Sequence, residues 1–171
     1  MSFIIAQILG GIGAVFASVA SQMKDKKKYL IFYALSYAVF IASFILLEAY
    51  PGAVNCFILM ILTLITSRYN DNKKIPRLLI FFFLILIFVG IYITYTDLYS
   101  LLPAIASIFY LLILMTSDMK KVRNYTLILR ALWVIYDVVV KAYIALAFDI
   151  FSITSNIIAM IRYDRNKPIN K

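Results

Sequence analysis

Runs of apolar residues bounded by charged or turn-forming residues divide the chain into seven segments: 3–21, 29–49, 53–67, 78–95, 101–117, 125–141 and 144–161. Each is 15 to 21 residues long and continuous, the third being the shortest. None shows the apolar-polar alternation of a lipid-facing barrel strand. Backbone in contact with lipid must satisfy its hydrogen bonds internally, so the pattern predicts seven transmembrane helices.

Composition agrees. Of 171 residues, 64% are hydrophobic and 15% charged, and the mean hydropathy is +0.94. Soluble domains are roughly 45 to 50% apolar, and so few polar residues cannot cover a wetted surface. Seven spans of roughly 20 residues use most of the length, so the expectation is one membrane domain over 1–171 with no second soluble domain.

Charge then sets an orientation. Lys24, Lys26, Lys27 and Lys28 follow the first run, and Arg68, Lys73, Lys74 and Arg77 follow the third. Lys120, Lys121 and Arg123 follow the fifth, and Arg162, Arg165, Lys167 and Lys171 follow the seventh. Fifteen of the 17 basic residues therefore fall on one side. The positive-inside rule predicts an outside N-terminus and a cytoplasmic C-terminus. Tyr29, Tyr69, Tyr125 and Tyr163 beside the basic clusters, and Tyr50, Tyr95, Tyr99 and Tyr143 at the opposite ends, fit interfacial belts. The net charge of +9 is thus divided among cytoplasmic segments facing anionic lipid, which removes the case for nucleic acid. Ser18-Val19-Ala20 resembles a signal cleavage site, but no basic residue precedes the first run and four lysines follow it, which argues for retention.

Several chemistries drop out. Cys56 is alone and histidine is absent, so there is no internal disulfide and no imidazole ligand or base. No phosphate loop or nucleophile motif is present. Asp25, Asp71, Asp118 and Asp164 sit among loop cations and read as solvated ion pairs. Neither an enzyme nor a cofactor or metal site is expected.

An internal repeat is the most informative feature. A shift of 96 lays Ser21, Met23, Lys24 and Tyr29 over Ser117, Met119, Lys120 and Tyr125, with Gln7 over Pro103 and Tyr37 over Trp133; a shift of 94 lays Arg68-Tyr69 over Arg162-Tyr163. The chain reads as a 3+1+3 parallel repeat: three helices in 1–77, a linker helix in 78–100, and three helices in 101–171. Parallel repeats of this kind occur in transporters, with the solute site near the midplane between halves.

Ala6-Gln7 followed by Gly10 and Ile12, Leu46-Leu47 to Tyr50-Pro51, Thr63-Leu64-Ile65-Thr66 ending at Arg68, Leu101-Leu102-Pro103, Trp133-x-Ile135, and Asn156 six before Arg162 together resemble the YgjV family of small bacterial inner-membrane proteins. That family is similar in architecture to the SWEET and PQ-loop transporters. The resemblance implies a bacterial cytoplasmic-membrane location and a SWEET-like helix plan. Ser43 stands where the family tends to have a histidine, and Leu59 and Leu62 where it has an asparagine and an arginine. Any site here is expected to lean on the second half.

In that half Arg130, Trp133, Tyr136, Asp137 and Lys141 share the sixth helix, and Asp149, Asn156 and Arg162 the seventh. Ionisable residues inside a span are costly and default to functional candidates. Arg130 and Lys141 can snorkel to opposite headgroup layers. Asp137 either pairs with Lys141 one turn on or faces a watery cavity and carries a proton. The SWEET resemblance implies Trp133 with Asn156 as solute contacts; Tyr136 is a further candidate contact, and Tyr37 and Asn55 are candidates on the first half. Gly10, Ala14 and Ser18 at four-residue spacing suit close helix packing, or else a homo-oligomer seam. Pro103 is expected to kink the fifth helix and, with Gln7, to form a hinge. The reading is a carrier or facilitator of an unknown small polar solute, proton-sensitive through Asp137. A receptor or partner subunit that keeps the fold without transport is the main alternative, and a channel or lipid-handling protein the third.

Overall fold

The computed structural model describes residues 1–21, 26–68, 75–116 and 119–164. Lys24, Lys73, Lys74, Arg165, Lys167 and Lys171, the belt residue Tyr69, the loop acids Asp25, Asp71 and Asp118, and the repeat positions Met23 and Ser117 lie outside the described residues. Described residues form seven α-helices: α1 Ser2–Ser21, α2 Lys26–Leu46, α3 Tyr50–Thr66, α4 Arg77–Thr94, α5 Leu102–Met115, α6 Met119–Val139 and α7 Tyr143–Asp164. A short 3-10 helix, Leu98–Leu101, leads into α5.

The apolar runs become helices because prolines and polar caps sit only at their edges. Pro51 and Pro103 occupy the first turns of α3 and α5, and Pro76 is the cap of α4. At these positions a missing N–H costs nothing. Pro103 therefore removes no helical hydrogen bond, and the kink expected inside the fifth helix is replaced by the junction of the 3-10 turn with α5. Asp97 holds that turn by accepting the Ser100 N–H at 3.0 Å while the Ser100 hydroxyl accepts the Asp97 N–H at 3.3 Å, a reciprocal cap.

Consecutive helices pack side by side, and α1 closes on α7 while α3 meets α5. The six helices α1, α2, α3, α5, α6 and α7 thus form a closed ring, with α4 outside it against α3 and α5. The seam of α1 is built from small buried residues, Ala6, Gly10, Gly13, Ala14 and Ala17. A Cβ on Gly13 would lie 3.2 Å from the Phe40 ring, so glycine sets the α1–α2 approach. Gly10 and Ala14 are therefore used inside the bundle, whereas Ser18 is half-buried and donates to its own helix at Ala14 O.

Outward faces are apolar. Phe81, Phe82, Phe88, Tyr92 and Ile93 on α4 are exposed, as are Ile4, Ile8 and Val15 on α1. Three segments, Ser2–Ala20, Arg77–Thr94 and Leu98–Met115, are long and apolar enough to cross a membrane; Leu30–Leu46, Tyr50–Thr66 and Tyr143–Ile158 are shorter apolar helices. α6 stands apart because Lys120, Lys121, Arg123, Arg130 and Asp137 all lie within it.

α2 ends at Leu46 and α6 at Val139, 93 positions apart. The turns that end them share one hydrogen-bond pattern at that same offset. Glu48 N donates to Ile45 O and Ala49 N to Phe44 O; Lys141 N donates to Val138 O and Ala142 N to Asp137 O. This is the double bond that closes a helix on a left-handed residue. At an offset of 93, Tyr37 answers to Arg130 and Phe40 to Trp133, whereas the shift of 96 lays Tyr37 over Trp133.

Candidate functional site

The ring encloses a cavity of about 100 Å³, to which all six of its helices contribute. α1 supplies Ala17, α3 Cys56, α5 Tyr110 and Ile113, and α7 Ala145 and Asp149. α2 supplies Tyr33, Ser36, Tyr37, Phe40 and Phe44, and α6 contributes a stripe from Val122 through Arg130 and Trp133 to Asp137. The spacing 126, 130, 133, 137 is one face of a helix, so a single stripe of α6 lines most of the cavity's length.

Among the described residues, three charged side chains meet this space. Arg130 Nη1 donates to Asp149 Oδ1 at 2.6 Å across the α6–α7 seam, and its Nη2 donates to the Tyr33 hydroxyl at 3.0 Å. The guanidinium is thus tied between α2, α6 and α7, not extended to a headgroup layer, which replaces the snorkelling expected for Arg130. The fork of donors on arginine suits this three-helix junction. Asp137 is different: it is 2% exposed and its Oδ1 has no hydrogen-bond partner. Lys141 lies in the turn after α6, exposed and with a positive φ of 59°, and forms no ion pair with Asp137.

Aromatic side chains wall the end near Asp137. Phe44 stacks on Trp133 at 5.7 Å and 17°, and Tyr136 meets both rings edge-on. Tyr136 itself does not line the cavity: its hydroxyl accepts the Gly52 N–H at 2.8 Å and donates to Ala49 O at 3.4 Å, pinning α6 to the start of α3. Only glycine fits at 52, since a Cβ there would stand 2.8 Å from the Tyr136 ring. Tyr37 lines the cavity beside Tyr110, with ring planes at 87°. Tyr110 shares a hydrogen bond with Thr63 at 2.9 Å.

Trp133, Tyr37 and Asp137 are therefore brought together around one space, and Asn156 is not. Its Nδ2 donates to Arg123 O at 2.9 Å, at the start of α6. Ten residues of helix, about 15 Å, separate that contact from Trp133, so the expected Trp133–Asn156 pair does not form a joint contact. Asn55 is buried, accepts the Ser107 hydroxyl at 2.7 Å, and leaves its Nδ2 without a partner at the α3–α5 seam. Ser43 donates to Ala6 O at 2.8 Å, and Leu59 and Leu62 are fully packed in the core.

Gln7 and Pro103 lie away from the cavity. The Gln7 amide donates to Lys141 O at 2.7 Å and accepts the Ile144 N–H at 3.1 Å. It clamps α1 onto the α6–α7 turn, at the same end as the Phe44–Trp133 stack. Sequence reasoning missed the Arg130–Asp149 pair, although both residues were flagged as ionisable within spans.

The Imp-YgjV family, described as a bacterial inner membrane protein, matches residues 4–167. No curated protein and no solved structure matches the chain. The match covers nearly the whole length, and the chain belongs to this family of bacterial inner-membrane proteins.

Proposed function

We propose that this inner-membrane protein is a multi-pass carrier or facilitator of a small polar solute, working by alternating access around the ring cavity, with no enzymatic step. The observation that carries the reading is the cavity itself: every ring helix lines it, and it holds a buried carboxylate, Asp137, whose Oδ1 has no partner among the described residues. A buried polar group left unpaired is costly, and a stable subunit interface would gain by losing it.

The proposed frame is seven spans as one domain, with the N-terminus outside and the C-terminus cytoplasmic. Support comes from the basic residues that follow the first, third, fifth and seventh runs. The 3+1+3 plan is favoured by the matched turns at Glu48 and Lys141 and by the two seams α3–α5 and α7–α1, which exchange under such a repeat. α4 is then the linker that gives both halves one orientation.

In this frame the conformation is closed on the outer side. Phe44, Trp133 and Tyr136 form the outer plug, and Gln7 latches it through the α6–α7 turn. Trp133 and Tyr37 contact the solute, Asp137 is the proton-sensitive group, and Tyr136 and Gln7 hold the closed state. Pro103 lies at the α5 junction, where α5 pivots against the 3-10 turn. Asn156 is assigned to helix packing.

The size of the cavity favours a second reading. Ligand sites commonly span roughly 300–1,000 Å³, against about 100 Å³ here, and a receptor or partner subunit that no longer transports would keep such a remnant. Reconstitution separates the two. Protein in liposomes, loaded with a panel of small polar solutes, is expected to show saturable exchange that Trp133→Ala abolishes. Absence of exchange for every solute, from protein that is folded and inserted, contradicts the carrier.

A further inference from the structure

We infer that the cavity takes a small organic monocation, an ammonium head with few carbons, seated between the Asp137 carboxylate and the rings of Trp133 and Phe44. The inference rests on the carrier reading for its setting and deepens it by naming the solute class.

Charge bookkeeping at the cavity gives the sign. Its charged side chains are Asp137, Asp149 and Arg130. Arg130 is neutralised by Asp149 at 2.6 Å and also donates to Tyr33 at 3.0 Å, its Nε alone lacking a partner among the described residues; two carboxylates thus face one guanidinium, which leaves one uncompensated. An anion would meet a guanidinium already neutralised by Asp149 and beside a second carboxylate, whereas a cation would find a buried acceptor with no partner at Oδ1 among the described residues.

The walls give the class. Asp137 follows Trp133 by four positions on the same face of α6, and Trp133 stacks on Phe44. Aromatic faces attract ammonium groups and their polarised methyls, while a bare alkali cation prefers a shell of oxygens. Of the lining hydroxyls, those of Ser36, Thr126, Tyr33 and Tyr110 are already engaged, with Tyr33 O, Val122 O, Arg130 and Thr63. The volume of about 100 Å³ restricts the guest to a few heavy atoms.

Trp133 is the chain's single tryptophan, so its emission reports on this site alone. Purified protein in nanodiscs is titrated with methylammonium, ethylammonium and tetramethylammonium chlorides, with sodium chloride and neutral acetamide as controls at matched ionic strength. A saturable change in Trp133 emission with at least one organic ammonium salt, absent with both controls, is expected. Asp137→Asn, verified by an unchanged ligand-free spectrum and a cooperative melt, should weaken it at least about thirtyfold, since truncating one partner of a buried charge pair has an effect of this size. Asp137→Glu, which keeps the charge, should retain saturable binding. No saturable change with any ammonium salt, an equal response to acetamide or sodium, or undiminished binding by Asp137→Asn overturns the inference. Liposome exchange of neutral solutes alone would leave the carrier standing and this solute class refuted.

Discussion

Glu48 and Lys141 hold the same left-handed backbone, φ 58° and 59°, each two residues past the end of its helix, α2 or α6. A side chain in this conformation is strained by roughly 1–2 kcal/mol, and glycine is the usual occupant of such a cap. The two turns share one hydrogen-bond pattern as well.

Glycine at either position should therefore stabilise the fold. Glu48→Gly and Lys141→Gly are each expected to gain about 0.5–1 kcal/mol, offset in part by greater freedom of the unfolded chain. Unfolding in detergent measures this, and a loss of stability in both would contradict the turn geometry.

Arg130 and Asp149 should be coupled. Removing either partner, in Arg130→Met or Asp149→Leu, leaves a buried charge and is expected to cost about 3–5 kcal/mol, whereas the double substitution should recover most of it. A double-mutant cycle reads the coupling directly. Additive losses would mean that the ion pair does not bridge α6 and α7.

Gly52→Ala pushes a methyl into the Tyr136 ring, at a separation of 2.8 Å. The expected loss is about 1–3 kcal/mol from overpacking. Tyr136→Phe tests the hydroxyl alone and should cost about 1–3 kcal/mol, because the buried Gly52 N–H is left unpaired. Wild-type melting of Gly52→Ala would contradict the close approach of α3 and α6.

Asn156→Ala should weaken the bundle by about 0.6–2 kcal/mol through loss of its tie to the Arg123 carbonyl. It should leave Trp133 emission and every ligand response unchanged. A variant that melts normally yet loses ligand binding would return Asn156 to the site.

The helices were legible in the sequence because apolar runs, edge prolines and loop cations all point to the same boundaries. The cationic starts of α2 and α6 were the exceptions: Lys26, Lys27 and Lys28 precede the expected Tyr29 yet lie within α2. Lys120, Lys121 and Arg123 read as loop, yet they lie within the helix that starts at Met119, six residues before the expected Tyr125. That extension explains why Asn156, central on its own helix, meets the start of its neighbour and not Trp133. The charges at 130, 137 and 149 were legible as unusual, but their pairing depends on how α6 and α7 are rotated against each other, which no spacing along one helix contains. The proposed repeat rests in the sequence on its loop cations, while the likeness of the turns at Glu48 and Lys141 needed their backbone hydrogen bonds.

On the proposed function, the ring cavity opens to alternate sides of the membrane. Cys56 is the chain's single cysteine, so a Cys56→Ala background carrying Thr126→Cys or Ala145→Cys places one thiol at either end of the cavity lining. In right-side-out and inside-out vesicles, a small membrane-impermeant thiol reagent is predicted to reach Thr126→Cys from the cytoplasmic side. It should reach Ala145→Cys, sealed here beneath the Phe44–Trp133 stack, from the outer side at a slower but measurable rate. Thiols that react only after denaturation, from neither side of the native protein, would contradict alternating access and leave a sealed, non-transporting bundle.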